Sequence, residues 1–249
     1  MVKVALVTGS AKGIGKAIVS RLGAKGYYVF LHYFMNERAA LELKESFGQK
    51  GYKCSVIGAN LGDEKEIKNM YKKIEEEKGY LDLLVNNAAT GVHKDMLEVR
   101  RKDWDWTFSV NGRGTFFTSV NAVKLMKNSP YERKNIINII SSGSNKYIPG
   151  YSLVGGSKAY IENMTKYLAV ELANSNINVN AISSGLVDTD ALNYFVDKKL
   201  VIDSYLEKCP QKKLIEPSEV ADVVELLTSP FANRICGQTI YVDGGASIC

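Results

Sequence analysis

The chain has 249 residues, 45% of them hydrophobic and 24% charged, and its 32 basic and 27 acidic residues leave a net charge of +5. At this length an α/β chain buries roughly 70–75% of its unfolded surface, so neither a disulfide nor a metal is needed to hold a core. The basic clusters Arg100-Arg101-Lys102, Lys198-Lys199 and Lys212-Lys213 are short and lack interleaved aromatics, which excludes a nucleic-acid partner and leaves solvated surface or a docking patch for an acidic partner.

Short apolar runs alternate with amphipathic stretches from end to end. A strand is expected over 2–7, a helix over 15–25, a strand over 28–32 and a helix over 37–49. A strand over 54–59, a helix over 64–78 and a strand over 81–85 come next, then a long helix over 104–127. Strands over 135–140, 177–182 and 239–242 alternate with helices over 157–174 and 217–228. Continuous apolar strands separated by helices predict one α/β domain: a doubly wound parallel sheet of about seven strands, helices on both faces. The segment 192–213, about 190–213 at its widest, has a weaker pattern and no strand of its own, so it is expected to be a substrate lid.

Cys54, Cys209, Cys236 and Cys249 fall in no CxxC or Cys/His ligand spacing and are read as buried or incidental thiols of a reducing compartment. The first residues run straight into a strand, and no apolar run approaches the ~18 residues of a membrane span, so a soluble cytoplasmic protein is expected.

The first chemical motif is Thr8-Gly9-Ser10-Ala11-Lys12-Gly13-Ile14-Gly15, between the first strand and the first helix. Gly9 permits the turn, while Gly13 and Gly15 let backbone amides and the helix N-terminus approach a pyrophosphate. The spacing is GxxxGxG, and its place at the start of a doubly wound sheet points to a dinucleotide. The second strand ends Leu31-His32-Tyr33-Phe34, with no carboxylate before Glu37 to hold a ribose 2′-hydroxyl. Lys12 and Arg38 would instead meet a 2′-phosphate, so NADPH is favoured over NADH.

Further segments join the loop: Asn86-Asn87-Ala88-Ala89, Asn111 inside the long helix, Ser141-Ser142, Tyr151 and Lys158, and the closing run from Gly237 to Gly245. In this order and spacing they resemble the short-chain dehydrogenase/reductase family over essentially the whole chain. The resemblance implies a Rossmann-type oxidoreductase and a homotetramer that pairs the long fourth and fifth helices. It implies cofactor contacts from Gly9, Ser10, Lys12, Gly13, Ile14 and Gly15, from Tyr33 and Arg38, from Asn60 and Leu61, and from Asn87 and Ala88. Lys158 and, after the sixth strand, Gly185, Val187 and Thr189 complete that set. Among the catalytic groups, Asn111 belongs to a proton relay, Ser141 helps bind a carbonyl, and Lys158 binds the nicotinamide ribose and lowers the pKa of the tyrosine.

The departures from the family pattern are informative. Ala89 stands in place of a glycine, Asn60 in place of a frequent Asp, and Ser184 in place of a proline. Most family members carry Tyr-x-x-x-Lys, but here Val154 fills that tyrosine position and Tyr151 supplies the phenol, seven residues before Lys158. Tyr-x6-Lys resembles the NADPH-dependent enoyl-acyl carrier protein reductases of this family, of the third bacterial type. The shift has a chemical reason: reduction of an enoyl thioester at Cβ develops charge on an oxygen two carbons away, and the acid must move with it.

The resemblance therefore implies reduction of trans-2-enoyl thioesters on acyl carrier protein, in fatty-acid synthesis. One alternative is a carbonyl (3-oxoacyl) reductase or alcohol dehydrogenase, in which Tyr151 Oη lies within hydrogen-bond reach of Ser141. Another is a non-catalytic NADP-binding protein. Tyr147, Trp104 and Trp106 are read as packing residues, and His32 and His93 are assigned no role.

Overall fold

In the computed structural model, which describes residues 1–195 and 197–249, the chain alternates strand and helix as its apolar pattern requires. The elements are β1 (Val4–Val7), α1 (Gly13–Ala24), β2 (Tyr28–Tyr33), α2 (Glu37–Gln49), β3 (Lys53–Gly58), α3 (Glu64–Lys78) and β4 (Leu83–Asn86). They continue with α4 (Arg101–Phe108), α5 (Thr115–Met126), β5 (Lys134–Ser141), α6 (Ser152–Leu172), β6 (Ile177–Ser184), α7 (Lys198–Lys208), α8 (Pro217–Thr228) and β7 (Thr239–Val242). Among the described residues the sheet has seven strands, all parallel, in the order β3-β2-β1-β4-β5-β6-β7.

The order reverses between β1 and β4, and ligands of such sheets bind at that switch, beyond the carboxyl ends of the strands. One core packs α3, α5 and α6 on one face around Leu6, Phe30, Ile74, Leu84 and Ile136. The other packs α1, α2 and α8 on the opposite face around Val7, Leu31, Val85, Ile137 and Ile182. Burial on both faces is why the strands are continuous apolar runs.

Local chemistry sets the helix ends. Asp63 accepts from the amides of Lys65 and Glu66 to open α3, and Gly79, with φ +76°, closes it. Pro217 opens α8 at a position where no helical hydrogen bond is lost.

Three boundaries differ from the sequence expectation. The long helix over 104–127 is interrupted by a π-helical stretch, Ser109–Gly114, that holds Asn111, Gly112 and Gly114. The fifth long helix begins at Ser152 rather than near 157, so Tyr151 is its N-cap and Val154 lies in its first turn. The lid segment contains a short 3-10 turn (Asp190–Tyr194) and α7; Val196, within it, lies outside the described residues. Among the described residues no helix is long and apolar enough to cross a membrane, and no cluster of ligating side chains could hold a metal. All four cysteines are free, Cys209 buried and Cys249 exposed.

Candidate active site

At the carboxyl end of β1 the glycine loop is tied down from two sides. Gly9, with φ +63°, donates its amide to His32 Nδ1 at 3.0 Å, and the amide of Ser10 donates to the carbonyl of His32 at 3.0 Å. Asn87 Nδ2 donates to the carbonyls of Thr8 at 2.8 Å and Gly9 at 3.1 Å. Thr8 Oγ1 in turn accepts from the amides of Asn87 and Ala88, at 2.9 and 3.0 Å. The fourth-strand motif thus serves first as a clamp on the loop.

The same clamp requires the loop's glycines. A Cβ on Gly15 would come within 2.6 Å of Asn87 Nδ2, and one on Gly9 within 3.0 Å of Ala88 Cα. Gly13, with φ +53°, faces Thr189, whose Cγ2 would stand 3.3 Å from a Cβ there. Residues 13 and 189, assigned to one ligand from opposite ends of the sequence, are therefore neighbours. Helix α1 opens at Lys12 without a side-chain cap and without an acid in its first turn, so its N-terminal amides suit an anion. Ile14 packs on the core beneath.

At the adenosine end the charges are arranged differently from the expectation. Arg38 is 90% exposed and pairs with Glu42 at 2.8 Å, and Tyr33 Oη donates to Glu37 at 2.7 Å. Asn60 Oδ1 accepts from the amide of Gly62 at 2.9 Å, shaping its own turn, while Leu61 is buried in the core.

At the reacting end, Tyr151 Oη and Ser141 Oγ lie 3.4 Å apart. Lys158 is buried and donates from Nζ to the carbonyl of Ile139 at 2.8 Å. Burial alone pulls its ammonium down to about 8. Burial pushes the Tyr151 phenol up, with Ser141 opposing. With its pKa raised rather than lowered, the phenol stays protonated through the neutral range.

Asn111 is fully buried and its side chain is fully used. Its amide nitrogen donates to Thr90 O at 2.8 Å and Ser157 Oγ at 2.9 Å, and its Oδ1 accepts from the amide of Thr90 at 2.8 Å. It pins the loop after β4 to the helix that carries Lys158. Val154, in the usual tyrosine position, is buried with Cγ2 against Gly91, where no Cβ would fit. Gly143 is equally constrained: a Cβ there would lie 2.6 Å from the Tyr151 ring. Gly185 faces Tyr205 of α7, which donates to the carbonyl of Asp243 at 2.9 Å and so ties α7 to the end of the sheet. Val187 is buried and forms a parallel bridge with Ile215.

Sequence reasoning missed Thr8, His32 and His93. His32 is buried between two partners, with Nδ1 accepting from Gly9 and Nε2 3.0 Å from the carbonyl of Ala59, and burial takes its pKa down to about 4. It is a neutral strut between the glycine loop and the turn after β3. The pairing of β2 with both neighbours creates that role, and a single strand sequence does not display it. His93 lies beside Tyr151, with ring centroids 5.3 Å apart. The three aromatics read as packing residues are instead exposed: Tyr147 by 89%, Trp104 by 52% and Trp106 by 39%. Trp104 stacks on Phe108, and Trp106 Nε1 donates to Thr90 Oγ1 at 2.9 Å, so each is held at the surface by a local contact.

Comparison with known proteins bears on this site. Residues 9–247 match the family model described as Enoyl-(Acyl carrier protein) reductase. The chain is 32% identical to the 1-cyclohexenylcarbonyl-CoA reductase of Streptomyces collinus, covering 99% of this chain and 87% of that protein. It is 35% identical to the 3-oxoacyl-[acyl-carrier-protein] reductase FabG of Staphylococcus epidermidis, covering 98% and 99%. Among solved structures, a short chain dehydrogenase from Burkholderia cenocepacia in complex with NADP is 29% identical, with a TM-score of 0.90 and coverage of 98% and 97%.

Proposed function

The chain belongs to the short-chain dehydrogenase/reductase family, and on that premise we propose that it reduces acyl thioesters at C3 with NADPH, as an enzyme of fatty-acid synthesis. The observation that carries this reading is the Tyr151–Ser141 pair, two hydroxyls 3.4 Å apart beside a buried lysine. A 3-oxoacyl thioester is the substrate it favours, because two adjacent hydroxyl donors suit one ketone oxygen. The likeness to the Staphylococcus epidermidis enzyme supports the same substrate, and the NADP in the Burkholderia cenocepacia structure supports the cofactor.

NADPH, when bound, supplies the hydride. The amides at the start of α1, with Lys12 at the N-cap, hold the phosphates. Ser141 orients the substrate oxygen and Tyr151, kept protonated by burial, donates to it. Lys158, as a cation, holds the ribose. Asn111 keeps the Thr90 loop and Ser157 in register while the proton is replaced.

A second reading is reduction of a trans-2-enoyl thioester on acyl carrier protein. It is favoured by Val154 in the usual tyrosine position, which leaves Tyr151 as the phenol at the N-cap of α6. The description of the matching family and the name of the Streptomyces collinus relative support it. Both substrates are reduced at C3; they differ in whether Tyr151 serves the C3 or the C1 oxygen.

The test is NADPH oxidation with acetoacetyl and crotonyl thioesters in parallel, repeated with NADH. Turnover of the keto substrate alone supports the first reading, and turnover of the enoyl substrate alone replaces it with the second. Cofactor binding without turnover of either would revive a non-catalytic role. We also propose a homotetramer, supported by the apolar groove of Phe108, Phe116, Phe117 and Tyr160 on the helices expected to pair, and a lid role for 190–213, supported by its latch through Tyr205. A gel-filtration mass near that of a monomer would overturn the first of these.

A further inference from the structure

We propose that His93 is a substrate-positioning residue whose imidazole Nδ1 hydrogen-bonds the thioester oxygen at C1 of the acyl substrate. The proposal rests on the acyl-thioester reading above. His93 sits in the loop between β4 and α4, with its ring 5.3 Å from that of Tyr151 and 4.2 Å from that of Phe195 in the lid segment. It therefore stands between the proton donor and the segment that covers the substrate.

His93 Nδ1 is buried and has no hydrogen-bond partner among the described residues. A buried polar atom left unpaired is costly and uncommon, and here a turn of the half-exposed ring toward Tyr151 would let a ligand complete it. Its placement is built rather than incidental. The next residue, Lys94, donates its amide to the carbonyl of Gly150 at 3.0 Å, immediately before Tyr151. Lys94 Nζ also reaches Asp103 at 3.0 Å, and Asp103 accepts from the amide of Arg100 at 3.1 Å to open α4. The loop of His93 and the segment of Tyr151 thus hold one another in place.

The chemistry fits a thioester carbonyl. Burial lowers the pKa of His93, so the imidazole is neutral and carries one N–H. With that proton on Nδ1 it donates to an uncharged oxygen without bringing a second cation beside Lys158. A 3-oxoacyl thioester presents two oxygens on carbons one atom apart. Tyr151 and Ser141 take the one at C3 and His93 the one at C1. With a 2-enoyl thioester, His93 and Tyr151 converge on the C1 oxygen.

The experiment uses the full chain saturated with NADP⁺ and labelled with ¹⁵N-histidine. Only two histidines are present, so His93→Phe assigns the resonances directly. Butyryl-pantetheine, a saturated thioester, is the probe, and its addition should shift the Nδ1 resonance of His93. His93→Phe keeps the ring contacts but removes both nitrogens. It should lower kcat/KM for the thioesters about tenfold, the worth of one lost hydrogen bond, and leave the Kd for NADPH unchanged. His93→Asn, which returns a polar atom near Nδ1, should recover most of that loss. An unmoved resonance in an enzyme that turns over thioesters overturns the proposal and leaves the function standing. A shifted resonance without turnover supports the site and overturns the reaction reading. Neither shift nor turnover overturns both, and equal losses in the Phe and Asn variants reduce His93 to a packing residue.

Discussion

Tyr151 Oη lies 3.4 Å from Ser141 Oγ although Tyr151 caps α6 instead of standing within its first turn. The phenol reaches the serine because Gly143 leaves open the space its ring occupies. The position of the reacting hydroxyl is thus set by the 3-10 turn after β5 as much as by the helix that carries Lys158.

Replacing Tyr151 by Phe removes the proposed proton donor without removing the ring. NADPH binding should persist and kcat should fall by about 10²–10⁴-fold, the usual contribution of a positioned acid. Adding Val154→Tyr to that variant should not restore activity, because the space beside Val154 is closed by the backbone at Gly91. Steady-state kinetics of the single and double variants decide the matter.

A methyl group at Gly143 would meet the Tyr151 ring at 2.6 Å. Gly143→Ala should therefore lower kcat by about tenfold or more through misplacement of the phenol, while the Kd for NADPH changes little. Unchanged kcat would show that the ring yields without cost.

The Lys158 ammonium titrates near 8 because it is buried. Below that pH it is the cation proposed to hold the ribose; above it the charge is lost. The kcat/KM for NADPH, which reports the free enzyme, should fall as pH rises through about 8. For stability the sign is opposite: between pH 8 and the ordinary lysine value the unfolded chain binds the extra proton, so this group's contribution to stability rises with pH there.

His32 gives a limb at the acid end. Its folded pKa of about 4 lies below the unfolded value near 6.5, so between those values the unfolded state binds more protons and stability falls as pH falls. His32→Asn keeps an acceptor for Gly9 but cannot titrate. Urea unfolding at pH 7 and pH 4.5 should show a smaller acid loss in this variant than in the parent.

Cofactor choice separates two basic residues. Lys12 stands at the N-terminus of α1, the helix proposed to hold the phosphates, and Arg38 pairs with Glu42 at the surface. Lys12→Ala should cut the preference for NADPH over NADH by about tenfold or more, and Arg38→Ala by little. Ratios of kcat/KM for the two cofactors are the measure.

The parts legible in the sequence are those governed by local pattern. The strands read as apolar runs because both faces are covered, and the glycine loop was legible because it joins the first strand to the first helix of a doubly wound sheet. The π-helical stretch around Asn111 was hidden, because it depends on a loop 21 residues away claiming the Asn111 side chain. His32 was equally opaque: its partners are Gly9 and Ala59, which only parallel pairing on both sides of β2 brings to it. The tryptophans show the limit of composition, since large aromatics usually signal interior and here both stand partly exposed on α4.

The Val154–Gly91 contact also ties two segments together. Position 91 has no room for a Cβ because Val154 Cγ2 fills that space, and the neighbouring Thr90 is gripped by Asn111 through both its backbone amide and its carbonyl. A larger side chain at position 154 that keeps the direction of the valine presses on a segment that shifts only by breaking the Asn111 bonds, so α6 and the loop after β4 behave as one mechanical unit.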